Sequence, residues 1–372
     1  MYDVVVCGLG IMGSAALHHL ARRGCRVLGL ERFAEGHDRG SSHGESRIIR
    51  LAYFEHPSYV PLVRRSYELW RELEHEAGRR LLHVTGIAEI GPPDGTLVAG
   101  TLAAARLHDI PHDVLTASAL MQRYPAFWLP PHFVGVVQPD GGFLKAEASV
   151  QALLALARKH GAEIRFGECV RAIEATNDKA RIVTDRATID AGAAIVAAGP
   201  WMSSLLPKAA LPLRVTRQVM GWFAPKAPAS FAPGHFPVFL IESAHGIHYG
   251  FPLSREGVKV AKHHHADQTV DPESYDRSVS AHDEALIRAA VAEHLPAANG
   301  PLVEAKTCLY TVAPDSDFIV DRLPDAASIL VASACSGHGF KFAPVIGEIL
   351  ADLATARSAK HDISRFGIPR FR

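Results

Sequence analysis

The run Gly8-Leu9-Gly10-Ile11-Met12-Gly13 constrains this chain more than any other feature. It follows directly on Asp3-Val4-Val5-Val6-Cys7, a short apolar segment that reads as a buried strand. It leads into a helical pattern from Ser14 to Arg23, closed by Gly24 at a C-cap position. A second apolar strand, residues 26–30, ends at Glu31, 18 residues beyond Gly13. A lone glycine triplet of this spacing is a weak signal. Strand, turn, helix, strand and acid in this order make up the βαβ unit of a dinucleotide site. Gly8, Gly10 and Gly13 permit the tight turn and the close approach of a pyrophosphate, whose charge the helix N-terminus stabilises. Glu31 is placed to accept ribose hydroxyls, and its charge disfavours the 2′-phosphate of NADP. The motif itself leaves FAD and NAD both open.

The remaining pattern extends this unit. Residues 57–78 read as a long helix, with further helices over 97–108, 117–123, 146–160 and 343–356. Strands are predicted over 163–166, 170–174, 193–199 and 329–334, whereas 92–95 and 130–142 read as turns. Short apolar runs between 212 and 265, among them 237–241 and 257–261, predict an antiparallel sheet. Buried strands like those of the first unit recur near 195 and 330, with the antiparallel segments between them. The expected fold is therefore α/β, a Rossmann-like nucleotide domain with an inserted α+β, antiparallel-sheet substrate domain. The boundaries are 1–80, 143–205 and 316–372 for the first and 81–142 and 206–315 for the second.

Composition removes several function classes. Lys+Arg and Asp+Glu are 39 each, so no overall basic surplus suggests a nucleic-acid partner. No apolar run of about 18 residues predicts a membrane span. The 5 cysteines are odd in number and scattered, and the first residues lack the pattern of a signal peptide. Both features predict a cytoplasmic protein.

Four further segments carry candidate chemistry. In Gly40-Ser41-Ser42-His43-Gly44-Glu45-Ser46-Arg47-Ile48-Ile49-Arg50, a helical second half would put Arg47 and Arg50 on one face. Lys259, Ala261 and His263 share one face if their segment is a strand. The adjacent His263, His264 and His265 are not read as a metal site, because strand neighbours point to opposite faces. Cys308, taken alone, reads as a small core residue. In Ser336-Gly337-His338-Gly339-Phe340-Lys341 the glycines can aim backbone N–H groups at a ligand oxygen.

Together these blocks resemble the monomeric sarcosine oxidase family of flavoenzymes, which includes N-methyltryptophan and pipecolate oxidases, within the D-amino-acid oxidase superfamily. The likeness runs from Val4 to Phe371 and includes Tyr249-Gly250-Phe251-Pro252 and Asp317-Phe318-Ile319-Val320-Asp321. It implies FAD, attached covalently through Cys308, with Lys259 at the site of oxygen reduction and Arg47 on the opposite face of the flavin ring. It implies that Arg50 and Lys341 hold the substrate carboxylate, that Tyr249 and His263 stand beside the substrate amine, and that Tyr310 lines the same pocket. Ile11, Met12, Glu31, Arg32, Ser41 and Val170 match positions around the ADP half, and His43, Gly199, Gly337, His338, Gly339 and Phe340 are expected to touch the cofactor too. The sequence departs from the sarcosine enzymes at Ser42, Leu51, Leu240 and Phe54-Glu55-His56-Pro57. The implied activity is oxidation of a small secondary-amine amino acid by oxygen, giving an imine and hydrogen peroxide, in a monomer with no metal. The alternatives are an amino-acid dehydrogenase passing electrons to a quinone or carrier, and a non-catalytic flavin-binding regulator.

Overall fold

A computed structural model describes residues 1–176, 178–356 and 358–371. The glycine-rich turn sits on an eight-stranded sheet. Its parallel core runs Ala326–Ser333, Thr188–Val196, Tyr2–Cys7, Val27–Glu31, Glu163–Phe166. Val4 and Val6 pack under the helices Ile11–Arg22, Val60–Ala77, Ala146–Lys159 and Ala343–Ala356. Val5 and Cys7 point to the other face, where Ala180, Ile182 and Ile189 of an antiparallel meander cover them. Both faces are thus buried, which is why these strands read as continuous apolar runs.

The second sheet also has eight strands, in the order Leu302–Val312, Arg214–Phe223, Val258–Lys262, Gly246–Gly250, Val238–Ser243, Ile87–Gly91, Val134–Gln138, Asp113–Thr116. Every pairing is antiparallel except that between Ile87–Gly91 and Val238–Ser243. Phe223, Phe231, Phe236 and Phe239 fill its back with Ile287 and Val291 of the helix Ala281–His294. A small third sheet, Ser46–Ile49, Gly142–Lys145 and Leu82–Val84, belongs to neither large one. No helix of the described residues is long and apolar enough to cross a membrane.

Several local expectations need correction. Residues Ser46–Ile49 form a strand paired with Gly142–Lys145, so Arg47 and Arg50 do not share a helix face. The segment 130–142 holds the strand Val134–Gln138 between its turns. The Ala281–His294 helix escaped the apolar pattern, although Ser280 and Asp283 form a reciprocal capping box at its start. The strand carrying Lys259 ends at Lys262, so His263 lies just beyond it.

Candidate functional site

A cavity of about 410 Å³ runs from the glycine-rich turn to the second sheet. At one end lie Gly8, Gly10, Ile11 and Met12, with Glu31, Arg32, Val170 and Gly199 nearby. Gly13 does not line it. A Cβ there would fall 1.8 Å from the Gly8 carbonyl oxygen, so Gly13 is needed for helix to meet strand. Gly10 starts the first helix without a side-chain cap, leaving the helix terminus facing the cavity. Ser42 accepts from Ile11 N at 3.0 Å. The Glu31 carboxylate accepts from Leu9 N at 2.9 Å and Phe33 N at 3.0 Å. Burial pushes its pKa up, but His37 and these backbone donors outweigh burial and hold it below the usual range. Glu31 is thus an acceptor-only group, suited to hydroxyl donors. Arg32 is engaged by Glu273, with Nη2 2.9 Å from Oε2. These features fit an extended dinucleotide diphosphate.

Arg47 spans the middle. Its guanidinium donates to the carbonyl oxygens of Ser46 (2.8 Å), Ser41 (2.9 Å) and His43 (2.5 Å), which fixes it at the cavity wall. Lys259 is 1% exposed and does not line the cavity. It donates to Gly44 O at 2.6 Å and Ser46 O at 2.8 Å, with the Phe251 ring centroid 4.7 Å away. Burial, reinforced by Arg47, drives its pKa well below that of a free lysine. His43 is buried too, with neither ring nitrogen hydrogen-bonded among the described residues, and it is absent from the wall.

Cys308 and Tyr310, two apart on Leu302–Val312, both line the cavity. Burial raises the Cys308 thiol pKa and Arg47 opposes it. Cys335 lines the same stretch of the cavity, and Cys7 and Cys169 line it as well, so Cys308 is not the one thiol facing it. Composition and spacing gave no sign of the others. Register explains the next wall. Leu240 pairs with Tyr249 on one side and with Glu89 on the other, bringing all three onto one row. His263 comes in beside Tyr310, ring centroids 5.7 Å apart. A Cβ on Gly337 would lie 2.6 Å from Tyr310 and 2.7 Å from His263, at a φ of +80°. Only glycine lets that turn close on both rings. Burial, then His264, pushes His263 down to about 3, so it is a neutral imidazole.

The far end holds Arg50 and Lys341, together as expected. What the sequence reading missed is how Arg50 is held. Nη2 donates to both oxygens of Glu55, at 2.8 and 2.7 Å, and Nε lies 3.4 Å from the buried Glu89. The rings of Tyr53 and Phe54 lie 4.3 and 4.7 Å from the guanidinium. Burial favours the neutral form of Glu55, but Arg50, His338 and Lys341 prevail and hold it at about 2. Glu89 goes the other way: burial pushes it up to about 7, although Arg50 pulls it back. One guanidinium therefore faces one ionised carboxyl and one whose proton affinity is raised. Lys341 donates to His338 O at 2.8 Å, and burial followed by Arg50 lowers it to about 7. His338 Nδ1 and the Tyr53 hydroxyl are 2.7 Å apart.

A family model described as "FAD dependent oxidoreductase" matches residues 3–353. A monomeric sarcosine oxidase of Streptomyces avermitilis is 41% identical, covering 98% of this chain and 96% of that relative. An N-methyl-L-tryptophan oxidase of Yersinia pestis is 34% identical over 100% of both. Among solved structures, NikD, an unusual amino acid oxidase essential for nikkomycin biosynthesis, superposes with a TM-score of 0.86. It is 29% identical and the match covers 98% of this chain and 97% of that one. The mixed α/β fold, the glycine-rich turn under an uncapped helix and these full-length likenesses agree: the chain belongs to the family of FAD-dependent oxidoreductases.

Proposed function

We propose that this enzyme oxidises a small secondary-amine amino acid with oxygen as acceptor, and that FAD is bound covalently through Cys308. The observation that carries this reading is the content of one cavity: Cys308, Tyr249 and Tyr310, the neutral His263, and Arg47, Arg50 and Lys341, all opening onto the dinucleotide end. FAD, when bound, supplies the acceptor for a hydride equivalent from the C–H bond beside the amine and passes the electrons to oxygen, giving peroxide. The protein's part is orientation and charge. The glycine-rich turn and Glu31 hold the ADP half, and Arg47 is a fixed positive charge beside the ring. Arg50 and Lys341 bind the substrate carboxylate and aim the reacting carbon, a gain in effective concentration. Tyr249, Tyr310 and His263 surround the amine. His263, being neutral, does not repel it or compete for its charge. Lys259, held behind the cavity wall on the same Ser46 carbonyl as Arg47, supplies in its protonated form the positive charge near which oxygen is reduced. A monomer in the cytoplasm completes the reading.

The test is peroxide release from sarcosine, N-methyltryptophan, pipecolate and proline, each beside its decarboxylated amine. Turnover of at least one acid, with its amine slower by about 10-fold or more, is expected from loss of charge-assisted contacts. Equal turnover of an acid and its amine removes the carboxylate site. Reduction of the flavin by substrate without reoxidation in air points instead to a dehydrogenase.

A further inference from the structure

Away from the cavity, three helices of the nucleotide-binding layer bring together a set of side chains that the oxidase reading does not use. His18 lies on Ile11–Arg22, Glu76 in the last turn of Val60–Ala77, and His160 at the C-terminal end of Ala146–Lys159. None of the three lines the cavity. His160 Nε2 lies 2.6 Å from Glu76 Oε1, and His18 Nε2 lies 3.6 Å from Glu76 Oε2. One ligand atom from each residue fits within 4.8 Å of the other two. We propose that His18, Glu76 and His160 form a zinc site that ties these helices together.

The second observation is His18 itself. Its side chain is 4% exposed, and neither ring nitrogen has a hydrogen-bond partner among the described residues. Buried polar groups are nearly always satisfied, and a cation between this bare imidazole and the carboxylate it faces would satisfy both.

The donor set suits zinc, which takes imidazole nitrogen and carboxylate oxygen in tetrahedral sites. Bonds of about 2.0–2.1 Å imply ligand atoms roughly 3.3 Å apart. The 3.6 Å contact is near that value, and the 2.6 Å contact must open by less than an ångström. Glu76 and His160 are 23% and 28% exposed, so their side chains can turn and a water can reach the fourth position. Arg22, a cation on the same helix as His18, is already paired with Glu72 at 3.4 Å. Bound zinc would brace the helix whose N-terminus faces the cavity, because that helix carries His18.

The experiment uses flavin-loaded enzyme without a histidine tag, stripped with EDTA and then given zinc chloride. About one zinc per chain should survive gel filtration, and the melting temperature should rise by about 3–5 °C at saturation. His160→Ala, at a partly buried position outside the cavity, should lose that zinc and that rise while keeping flavin content and turnover. Glu76→Gln keeps size and should weaken zinc binding at least about tenfold. No retained zinc in the wild type, or equal zinc in the wild type and both variants, overturns the proposal.

Discussion

Replacing Glu89 by Gln tests the charge arrangement around Arg50 with almost no change in shape. In the wild type, Glu89 Oε2 accepts from the Gln138 amide and Oε1 stands 3.4 Å from Arg50 Nε. Its carboxyl is lifted from an ordinary 4.5 to about 7, first by burial and then by Glu55, against Arg50. At about 1.4 kcal/mol per tenfold change in proton affinity, that lift corresponds to roughly 3 kcal/mol. Sharing of one proton among coupled groups reduces the figure to about 1–3 kcal/mol. The direction follows from linkage. Below pH 4.5 the group is protonated in both folded and unfolded chains and contributes nothing to the difference. Between pH 4.5 and about 7 the unfolded chain releases its proton while the folded one keeps it, so stability falls as pH rises. Above about 7 the loss is complete. Glu89→Gln carries no such term. Melting curves should nearly coincide at low pH, and at high pH the variant should melt about 2–6 °C above the wild type. Identical pH dependence in the two proteins would refute this account and make Glu89 an ionised partner of Arg50.

Three further outcomes are expected. Cys308→Ala should release its flavin on acid precipitation, whereas Cys335→Ala, altering another cavity thiol, should retain it. The reverse result assigns the attachment to Cys335. Lys259→Met should slow reoxidation by oxygen about 10²–10³-fold, since the ammonium form of Lys259 can no longer contribute its roughly 3–4 kcal/mol as superoxide charge develops, with much less change in anaerobic reduction by substrate. Stopped-flow traces of the two half-reactions check this, and unchanged oxygen reactivity rejects the role. Gly337→Ala should keep its flavin but lose at least about tenfold in kcat/KM, because the new methyl group presses on Tyr310 and His263. Wild-type kinetics in that variant would show that the two rings can shift at no cost.

Local signals carried the first unit far. The apolar run, the glycine spacing and Glu31 needed only neighbours in sequence to be read, because a strand, a tight turn and a helix start are set by short-range sterics and hydrogen bonding. The block Ser336–Lys341 was legible for the same reason, as a glycine turn after a buried strand. Residues 46–49 were not, because a four-residue strand has no period of its own and exists through its pairing with Gly142–Lys145. Val134–Gln138 was hidden by flanking prolines and glycines, and its strand character comes from the partners on either side.

By itself the sequence determined the dinucleotide turn, the α/β class and, through resemblance, the blocks that gather at one cavity. Only the tertiary structure decided what each charge faces. Arg50 meets Glu89 because the parallel pairing of Ile87–Gly91 with Val238–Ser243 sets Glu89 beside Leu240. Cys335 joins Cys308 because the strand Ala326–Ser333, in the nucleotide sheet, ends at the cavity that the second sheet closes. His18, Glu76 and His160 meet because three helices pack on one face of a sheet. Such encounters depend on register and helix packing between segments far apart in the chain. A local pattern carries no record of them, since burial and charge act through space and not along the backbone.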